Sequence, residues 1–204
     1  MSYPVFKVQG IPDDQIWQLF NVSNFRYYCQ KVHDIVRGTC PFCMIDPAVN
    51  KVLFENSSWR VWENKLAPKS GQDYQFIIPS KRHIQSFGEL STTETVDLLS
   101  AIQWIDNTFQ ISGGVLVIRS GDPARNAKSV PHLHVNYQVP TGVDRVEVTI
   151  AKSQKDLDKK LQILKVFEEM RLLDMAGIED PFEELSPEDK ALVVDKIEPP
   201  RTKR

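Results

Sequence analysis

Two of the chain's four histidines lie one residue apart in the stretch His132-Leu133-His134-Val135-Asn136. Side chains of an extended strand alternate between its two faces, so we expect His132, His134 and Asn136 to share one face, with neighbours roughly 7 Å apart. The intervening Leu133 and Val135 suit the opposite, core-facing side of a half-buried strand. One face of this strand is therefore predicted to carry a metal ligand, a nucleophile and an amide.

His134 is the candidate nucleophile. A neutral imidazole can attack an activated phosphoryl group, and the phosphorus–nitrogen adduct is reactive enough to pass to water, phosphate or a second nucleotide. Two rings one strand repeat apart cannot easily bind one metal ion, so we expect His132 to ligate while His134 attacks. Asn136 can donate an amide hydrogen bond to phosphate oxygens without acting as a base. The same pattern also suits two histidines on an exposed strand face, or two metal ligands without catalysis.

A basic loop over residues 119–131 leads directly into these histidines. It combines two arginines, one lysine and two serines with small residues, a composition suited to neutralising and hydrogen-bonding a phosphate. Ser129 would offer a hydroxyl to the leaving or bridging oxygen. The other candidates for contact with the substrate are Arg119, Arg125, Asn126 and Lys128. A solvated loop that binds nothing is the alternative.

Cys40 and Cys43 have the two-residue gap that lets two thiolates reach one tetrahedral Zn²⁺, and histidines elsewhere could complete a Cys₂His₂ site. A thioredoxin-like redox motif would need a strand before it and a helix after it, whereas here a predicted helix precedes the motif. Two buried thiols that pack as small apolar groups remain a further alternative. Three cysteines, an odd count, suit a reducing compartment better than a disulfide framework.

The composition predicts one compact domain, with room for appended helices, because 204 residues with 41% hydrophobic content can bury a sizeable core. A formal charge of -2 gives no global reason to expect binding to nucleic acid or to an anionic membrane. No apolar run approaches the roughly 20 residues of a spanning helix, and the first residues lack the order of a signal peptide. We therefore expect a soluble, cytoplasmic protein.

The elements expected around these residues define an α+β class, an antiparallel sheet flanked by helices. Residues 13–36 are predicted to be helical because apolar residues recur at helical spacing. Ser91-Thr-Thr-Glu94 is a capping box that starts a core helix, which we expect to end at Gly113-Gly114. A long amphipathic helix is expected over 153–176. Strands are predicted over 52–55, 59–63, 73–79 and 115–119, in the histidine-rich segment, and over 145–150.

The chain is accordingly expected to divide into four segments. These are an N-terminal helical extension over 1–37, a sheet-containing domain over 38–151, a C-terminal helix over 152–178, and a tail over 179–204. The tail is acidic and punctuated by prolines, and its last residues have too few apolar side chains to fold alone. We expect those last residues to be disordered.

The stretch from His132 to Gln138 resembles the signature of the histidine-triad (HIT) superfamily, in which histidines alternate with hydrophobic residues. The third histidine is replaced by Gln in the nucleotidyltransferase branch, whereas this chain has Asn136 there. Further similar segments bring the resemblance to about residues 38–150. They are Cys40-Pro-Phe-Cys43, the hairpin from Val52 to Asn64, Phe76-Ile-Ile-Pro-Ser-Lys-Arg-His83 and Ser129-Val-Pro-His-Leu-His134.

This resemblance implies roles for several residues. His134 would be the histidine that becomes nucleotidylated, Ser129 would lie near the scissile phosphate, and Asn64 would bind ribose hydroxyls. The implied ligands of a structural zinc ion, as in the galactose-1-phosphate uridylyltransferase branch, are Cys40, Cys43, His83 and His132. The family also implies a HIT-like catalytic domain, often a homodimer, that acts on a nucleoside phosphate ester, anhydride or phosphoramidate.

Two departures from the family bear on the reaction. An amide at Asn136 favours transfer, as in dinucleoside polyphosphate phosphorylases, with hydrolysis close behind. The upstream Asn of many hydrolase members has no counterpart here, so phosphate contacts are expected from Arg119, Arg125 or Asn126. The sequence thus predicts a nucleotide-binding nucleotidyltransferase or hydrolase with a covalent intermediate on His134. The alternative is a zinc-stabilised nucleotide-binding or partner-binding module without turnover.

Overall fold

The computed structural model of the chain describes residues 3–4, 6–64 and 71–197. The chain divides into two compact units. The sheet unit comprises Cys40–Asp122 and Val130–Thr149, and the helical unit comprises Met1–Thr39, Pro123–Ser129 and Ile150–Arg204. The described α-helices are α1 (Phe25–Val36), α2 (Thr92–Phe109), α3 (Gln154–Met175) and α4 (Pro187–Val193).

The described residues of the sheet unit form five strands, all of whose pairings are antiparallel. The strands are β1 (Phe54–Glu55), β2 (Arg60–Glu63), β3 (Gln72–Pro79), β4 (Val115–Ile118) and β5 (His134–Pro140). Their order in the sheet is β1-β2-β3-β5-β4, so β5 lies between β3 and the edge strand β4. The predicted α+β class, an antiparallel sheet together with helices, is confirmed.

One face of the sheet packs against α2. Leu133, Val135 and Tyr137 are buried in this core, as their alternation with polar residues predicted. The helix contributes Leu98, Ala101 and Ile105 to the same core. The buried side chains of the strands and of the residue before β2 complete it: Trp59, Val61, Phe76, Ile78 and Val139. The polar residues of β5 therefore face the other side of the sheet.

α2 begins as the sequence predicted, with Ser91 at the N-cap and a reciprocal capping box to Glu94. It ends earlier than expected, because Gln110 adopts a left-handed conformation with φ of 51° and its N–H bonds to the carbonyl of Asp106. The predicted end of the helix, Gly113-Gly114, begins three residues after Gln110.

The predicted strand over 145–150 is wrong. Those residues have no strand assignment, although valines alternate with polar residues there. Alternation permits a strand, but a strand also needs a partner edge that supplies a ladder of backbone hydrogen bonds. In the described sheet β4 pairs with β5 alone.

In the helical unit, the region predicted to be helical over 13–36 is two elements. A 3₁₀ helix spans Asp13–Asn21, and α1 follows after Asn24, whose side chain accepts a hydrogen bond from the N–H of Tyr27. The predicted long helix is confirmed as α3, capped by Ser153. The core of this unit is apolar and joins the N-terminal elements to α3, with Leu19, Phe20, Tyr28, Leu164 and Phe167 among its most buried members.

The tail contains a helix that the sequence pattern did not predict. Ser186 caps α4 and Pro187 occupies its first turn, an arrangement typical of helix starts. Leu185 and Val193 are buried in the core of the helical unit. The terminal residues expected to be disordered, 198–204, lie outside the described residues. Among the described helices, none combines the length and the apolarity that crossing a bilayer requires.

The close approach of Gly114 to Tyr137 yields a stability prediction. A Cβ atom at Gly114 would lie 2.2 Å from Cε2 of Tyr137, whereas a Cβ at Gly113 would meet nothing within 4 Å. The Tyr137 ring cannot move aside easily, since it is buried and its hydroxyl donates to Asp106 at 2.6 Å. We predict that Gly114→Ala lowers the free energy of unfolding by about 1–3 kcal/mol, measured by urea denaturation. Gly113→Ala is the matched control, and equal stability of the two variants would contradict the close contact.

Candidate functional site

Four side chains of the sheet unit converge on one point. Their ligand atoms, the Sγ atoms of Cys40 and Cys43 and the Nδ1 atoms of His83 and His132, all lie within 4.8 Å of one another. Nδ1 of His132 is 3.3 Å from Sγ of Cys40, 3.5 Å from Sγ of Cys43 and 3.3 Å from Nδ1 of His83. The structure thus brings together the four residues expected as metal ligands.

Local backbone structure positions each of these ligands. The two cysteines flank a tight turn in which the N–H groups of Cys43 and Met44 both bond to the carbonyl of Cys40. The segment that carries His83 is bonded to the start of β5, since the N–H of Ser80 bonds to the carbonyl of Leu133 and the N–H of Leu133 bonds to the carbonyl of Ile84. These paired backbone bonds hold His83 beside His132.

Arg82 fixes the same segment to the start of α2. Its guanidinium bonds to both carboxylate oxygens of Glu94 at 2.9 and 2.8 Å. The hydrogen bonds from Arg82 and Ser91 lower the pKa of Glu94 to about 2, so the carboxylate is ionised at neutral pH. Arg82, the residue before His83, is therefore anchored to the first turn of α2.

The four donors fit a tetrahedral zinc ion. With Zn–S near 2.3 Å and Zn–N near 2.0 Å, tetrahedral geometry separates a sulfur from a nitrogen by about 3.5 Å and two nitrogens by about 3.3 Å. The contacts between the donors of the cluster match these separations. Two thiols and two imidazoles are also the donor set of structural zinc sites.

The hydrogen bonds of His132 determine which of its nitrogens can bind a cation. Nε2 lies 2.7 Å from the carbonyl oxygen of Ser80, which can only accept, so Nε2 carries the proton and Nδ1 carries the lone pair. Burial lowers the pKa of His132 to about 4, so the ring is neutral at pH 7. Partial burial and the neighbouring Cys40 raise the pKa of the Cys43 thiol to about 11. A bound cation would be needed to hold Cys43 as a thiolate.

His134 has the opposite arrangement of its ring nitrogens. Its Nδ1 lies 2.8 Å from the backbone carbonyl of His132, so Nδ1–H donates and Nε2 carries the lone pair. Phe42, between the two cysteines, packs its ring against His134 with centroids 4.9 Å apart and against His132 at 5.6 Å. His134 is therefore held from two sides and is not among the four residues of the metal cluster.

The strand begins two residues later than the sequence predicted. β5 begins at His134, and His132 lies in a bend that precedes it. The sequence predicted that His132, His134 and Asn136 share one face of the strand, but only His134 and Asn136 lie on the strand. Because His132 precedes the strand, its ring reaches the carbonyl of Ser80, and His134 begins the ladder opposite Pro79.

The sheet face that carries His134 is polar along β5 and continues onto the neighbouring strands. Asn136 pairs with Ile77 on β3 and with Val117 on β4, and Gln138 pairs with Gln75 on β3. The N–H of Asn64 bonds to the carbonyl of Gln75 at 2.7 Å, which places Asn64 in the next row of the same face. His134, Asn136, Gln138, Gln75 and Asn64 form this set, which we call the polar face.

Several residues that frame this site were not predicted from the sequence. Ser80 orients His132, Phe42 packs on His134, and Trp62 packs on Phe42 with centroids 5.7 Å apart. Trp62 could have been predicted from the sequence, because it lies two residues before Asn64 in an extended segment and therefore shares its face. Ser80 and Phe42 have no such signal, since their roles depend on contacts distant in sequence.

Arg119 follows β4 directly, and continuing the β4–β5 register by one residue sets it opposite His134. Its Nη2 donates to the carbonyl of Thr149 at 2.8 Å. Nε is buried and has no hydrogen-bond partner among the residues that the structure describes. Burial lowers the pKa of this guanidinium from its usual value. Arg119 thus remains a candidate for binding an anion.

The other basic-loop candidates belong to the helical unit and are held by its N-terminal residues. The hydroxyl of Ser129 is 3.2 Å from that of Tyr27 on α1, and the side-chain amide of Asn21 donates to the carbonyl of Lys128 at 2.8 Å. Asn126 accepts from the N–H of Lys128 at 3.2 Å, and Arg125 ends a short 3₁₀ turn over Pro123–Arg125. The helical N-terminal region therefore orders this loop.

Comparisons with known proteins return structures only. No protein-family model matches the chain, and no curated protein matches it. A histidine triad protein from Clostridium difficile is 19% identical, with 53% of this chain and 96% of that chain covered and a TM-score of 0.42. A histidine triad nucleotide-binding protein from Candida albicans is 16% identical, with 62% and 95% covered and a TM-score of 0.43. A zinc-bound histidine triad family protein from Mycobacterium smegmatis is 14% identical, with 68% and 98% covered and a TM-score of 0.42.

Proposed function

We propose that this chain is a nucleotide-binding enzyme of the histidine-triad type that transfers or hydrolyses a nucleotidyl group through a covalent intermediate on His134. One observation carries the proposal. The hydrogen bond from Nδ1 of His134 to the carbonyl of His132 fixes the tautomer in which Nε2 carries the lone pair. A second hydrogen-bonding group, Asn136, follows on the same polar face.

The proposed reaction has two steps. Nε2 of His134 attacks the α-phosphorus, a nitrogen–phosphorus bond forms, and the bond from phosphorus to the leaving oxygen breaks with departure of the leaving group. An acceptor oxygen then attacks the same phosphorus, the nitrogen–phosphorus bond breaks, and the imidazole is restored. The His132 carbonyl is positioned to stabilise the positive charge that develops on the ring while the adduct exists.

The remaining site residues are proposed for binding and charge neutralisation. Asn136 would donate its amide to phosphate oxygens, Asn64 would bind the ribose hydroxyls, and Arg119 would neutralise phosphate charge. For Ser129 and Lys128, together with Arg125 and Asn126, the proposal rests on their place in the sequence just before the histidines. Positioning and charge neutralisation would supply most of the rate acceleration.

Zinc is proposed as the resident metal of the Cys40, Cys43, His83 and His132 cluster. Four protein ligands leave no open position for substrate, so the ion would stabilise the fold and hold His132 in place. It would thereby fix the His132 carbonyl that orients His134.

A homodimer and a cytoplasmic location remain proposals. β4 is the edge strand of the sheet and exposes Val115 and Leu116, and an exposed apolar edge is a surface at which a second copy could pair.

The role of His134 is tested by trapping the intermediate. We predict that wild type incubated with a radiolabelled dinucleoside polyphosphate yields an acid-labile, nucleotidylated protein. His134→Ala should yield none and should lower the turnover number by roughly 10⁴-fold or more. His33→Ala, which removes an exposed histidine of α1, should behave as wild type. An adduct that persists in His134→Ala would overturn the assignment.

The acceptor is tested with a panel of nucleotides assayed with and without inorganic phosphate. Because an amide at Asn136 favours transfer, we predict a nucleoside diphosphate product that requires added phosphate. A nucleoside monophosphate formed at the same rate without phosphate would identify a hydrolase instead. Tight nucleotide binding by calorimetry with no product over hours would favour the second candidate, a binding module without turnover.

The metal is tested by elemental analysis of the purified protein. We predict about one zinc ion per chain and a lower melting temperature after chelation, because a cation that binds only the folded state stabilises it. Cys43→Ala should lose the metal, whereas Cys29→Ala, which changes a helical cysteine outside the cluster, should retain it. A metal-free wild type whose melting temperature is insensitive to chelators would contradict metal binding by Cys40 and Cys43, which are partly buried and exposed respectively.

A further inference from the structure

Gln138 is a polar residue of β5 whose side chain makes no hydrogen bond to the described part of the chain. The residue is only 8% exposed, and its carboxamide has no partner among the residues that the structure describes. Its polar atoms still contact solvent, since the fully buried unpartnered atoms of the described side chains belong to Gln72 and Arg119. Asn136, at 9% exposure, has the same properties. A carboxamide in a narrow opening, with its donors and its acceptor unused, is available to a ligand.

Gln138 belongs to a row of three carboxamides that crosses the polar face. It lies directly opposite Gln75 on β3, and the carbonyl of Gln75 accepts from the N–H of Asn64. Because neighbouring strands lie about 4.8 Å apart, the backbones of the three residues span about 10 Å. The row, which we call the carboxamide row, thus extends from the residue proposed to bind ribose hydroxyls to the middle of the sheet.

The carboxamide row has no charged member, which distinguishes it from the end of the polar face where His134 lies. On its other side Gln138 is paired with Val115 of β4, an apolar residue. The cation proposed for phosphate binding, Arg119, is set opposite His134 instead. Phosphate is bound best by charged donors, whereas a carboxamide donates and accepts as a hydroxyl does. The row therefore suits an uncharged, hydroxyl-bearing part of a ligand.

We propose that Gln138, with Gln75 opposite it, binds a ribose hydroxyl group of the substrate and so selects ribonucleotides over deoxyribonucleotides. This assignment rests on the function proposed above, which places the phosphate at His134 and the ribose at Asn64. His134 and Gln138 are four residues apart on β5, roughly 13 Å at the backbone, and the imidazole and the long glutamine side chain can narrow that gap. A site that hydrogen-bonds a hydroxyl rejects the analogue without it, because the polar groups of the site are then left unpaired.

The direct test is calorimetric titration of the full-length protein. The monophosphates of adenosine, guanosine, cytidine and uridine identify the base that binds most tightly, and the 2′-deoxy and 3′-deoxy forms of that nucleotide measure the preference for ribose. We predict that wild type prefers the ribonucleotide to at least one deoxy form. Gln138→Met should lower that preference by about 3- to 10-fold, the range expected for one neutral hydrogen bond. An unchanged preference in this variant would overturn the proposal, as would a wild type that binds none of the four nucleotides or does not distinguish ribose.

The matched control is Gln103→Met, the same change at an exposed position of α2, which packs on the opposite face of the sheet. It should keep the wild-type preference within about twofold. Gln138→Met should also bind the discriminated deoxy form within about twofold of wild type, because that ligand already lacks the hydroxyl.

Stability without ligand provides an independent check. Gln138→Met should melt at or above the wild-type temperature, because it loses no hydrogen bond within the protein. A clearly lower melting temperature, or a variant that does not fold, would show that the carboxamide has an intramolecular partner and would contradict the proposal. Gln75→Met, at a half-buried position, should lower the same preference, and an unchanged preference there would remove Gln75 from the proposal.

The outcome is separable from the test of the reaction. His134→Ala should retain the ribose preference of wild type, because the carboxamide row does not include the nucleophile. A wild type that forms no adduct but shows a Gln138-dependent preference would refute the reaction and support the row. An adduct formed with a preference that does not depend on Gln138 would support the reaction and refute the row.

Discussion

The backbone carbonyl of His132 is the constraint on which the candidate site depends. It accepts the Nδ1 proton of His134 at 2.8 Å, while the side chain of the same residue turns its own Nδ1 towards Cys40, Cys43 and His83. The ring of His132 is held in that direction by the carbonyl of Ser80 at 2.7 Å. Two histidines separated by one residue thereby adopt opposite tautomers, and each suits a different task.

The rest of the sheet unit maintains this geometry. Backbone bonds between Leu133 and the segment from Ser80 to Ile84 place His83 and His132 side by side. Phe42 links the candidate metal cluster to His134, since its ring packs against both His132 and His134. A cation at the cluster would therefore order the turn that carries Phe42 and, through it, one side of the His134 ring.

Features that depend on local periodicity could be predicted from the sequence. The alternation along β5 predicted which residues are buried against α2, and the capping box at Ser91 predicted where that helix begins. The Cys-x-x-Cys gap predicted that Cys40 and Cys43 lie together, and the resemblance to a known family implied that His83 and His132 join them, as the structure shows. These are properties of neighbouring residues, or of a motif already associated with a fold.

Features that depend on distant partners could not be predicted in this way. Residues 145–150 alternate as a strand does, but a strand also requires an edge to pair with. Gln110 ends α2 through a backbone conformation that its residue type does not favour. The contact of Tyr27 with Ser129 joins residues 102 positions apart, and no spacing in the sequence indicates it.

The central claim, that the two histidines hold opposite tautomers, is tested most directly by long-range ¹H–¹⁵N correlation NMR of the histidine rings in the zinc-loaded protein. We expect a proton on Nδ1 and a lone pair on Nε2 for His134, and a proton on Nε2 with a metal-bound Nδ1 for His132. A proton on Nε2 of His134 would place its lone pair against the His132 carbonyl and would contradict the proposed attack.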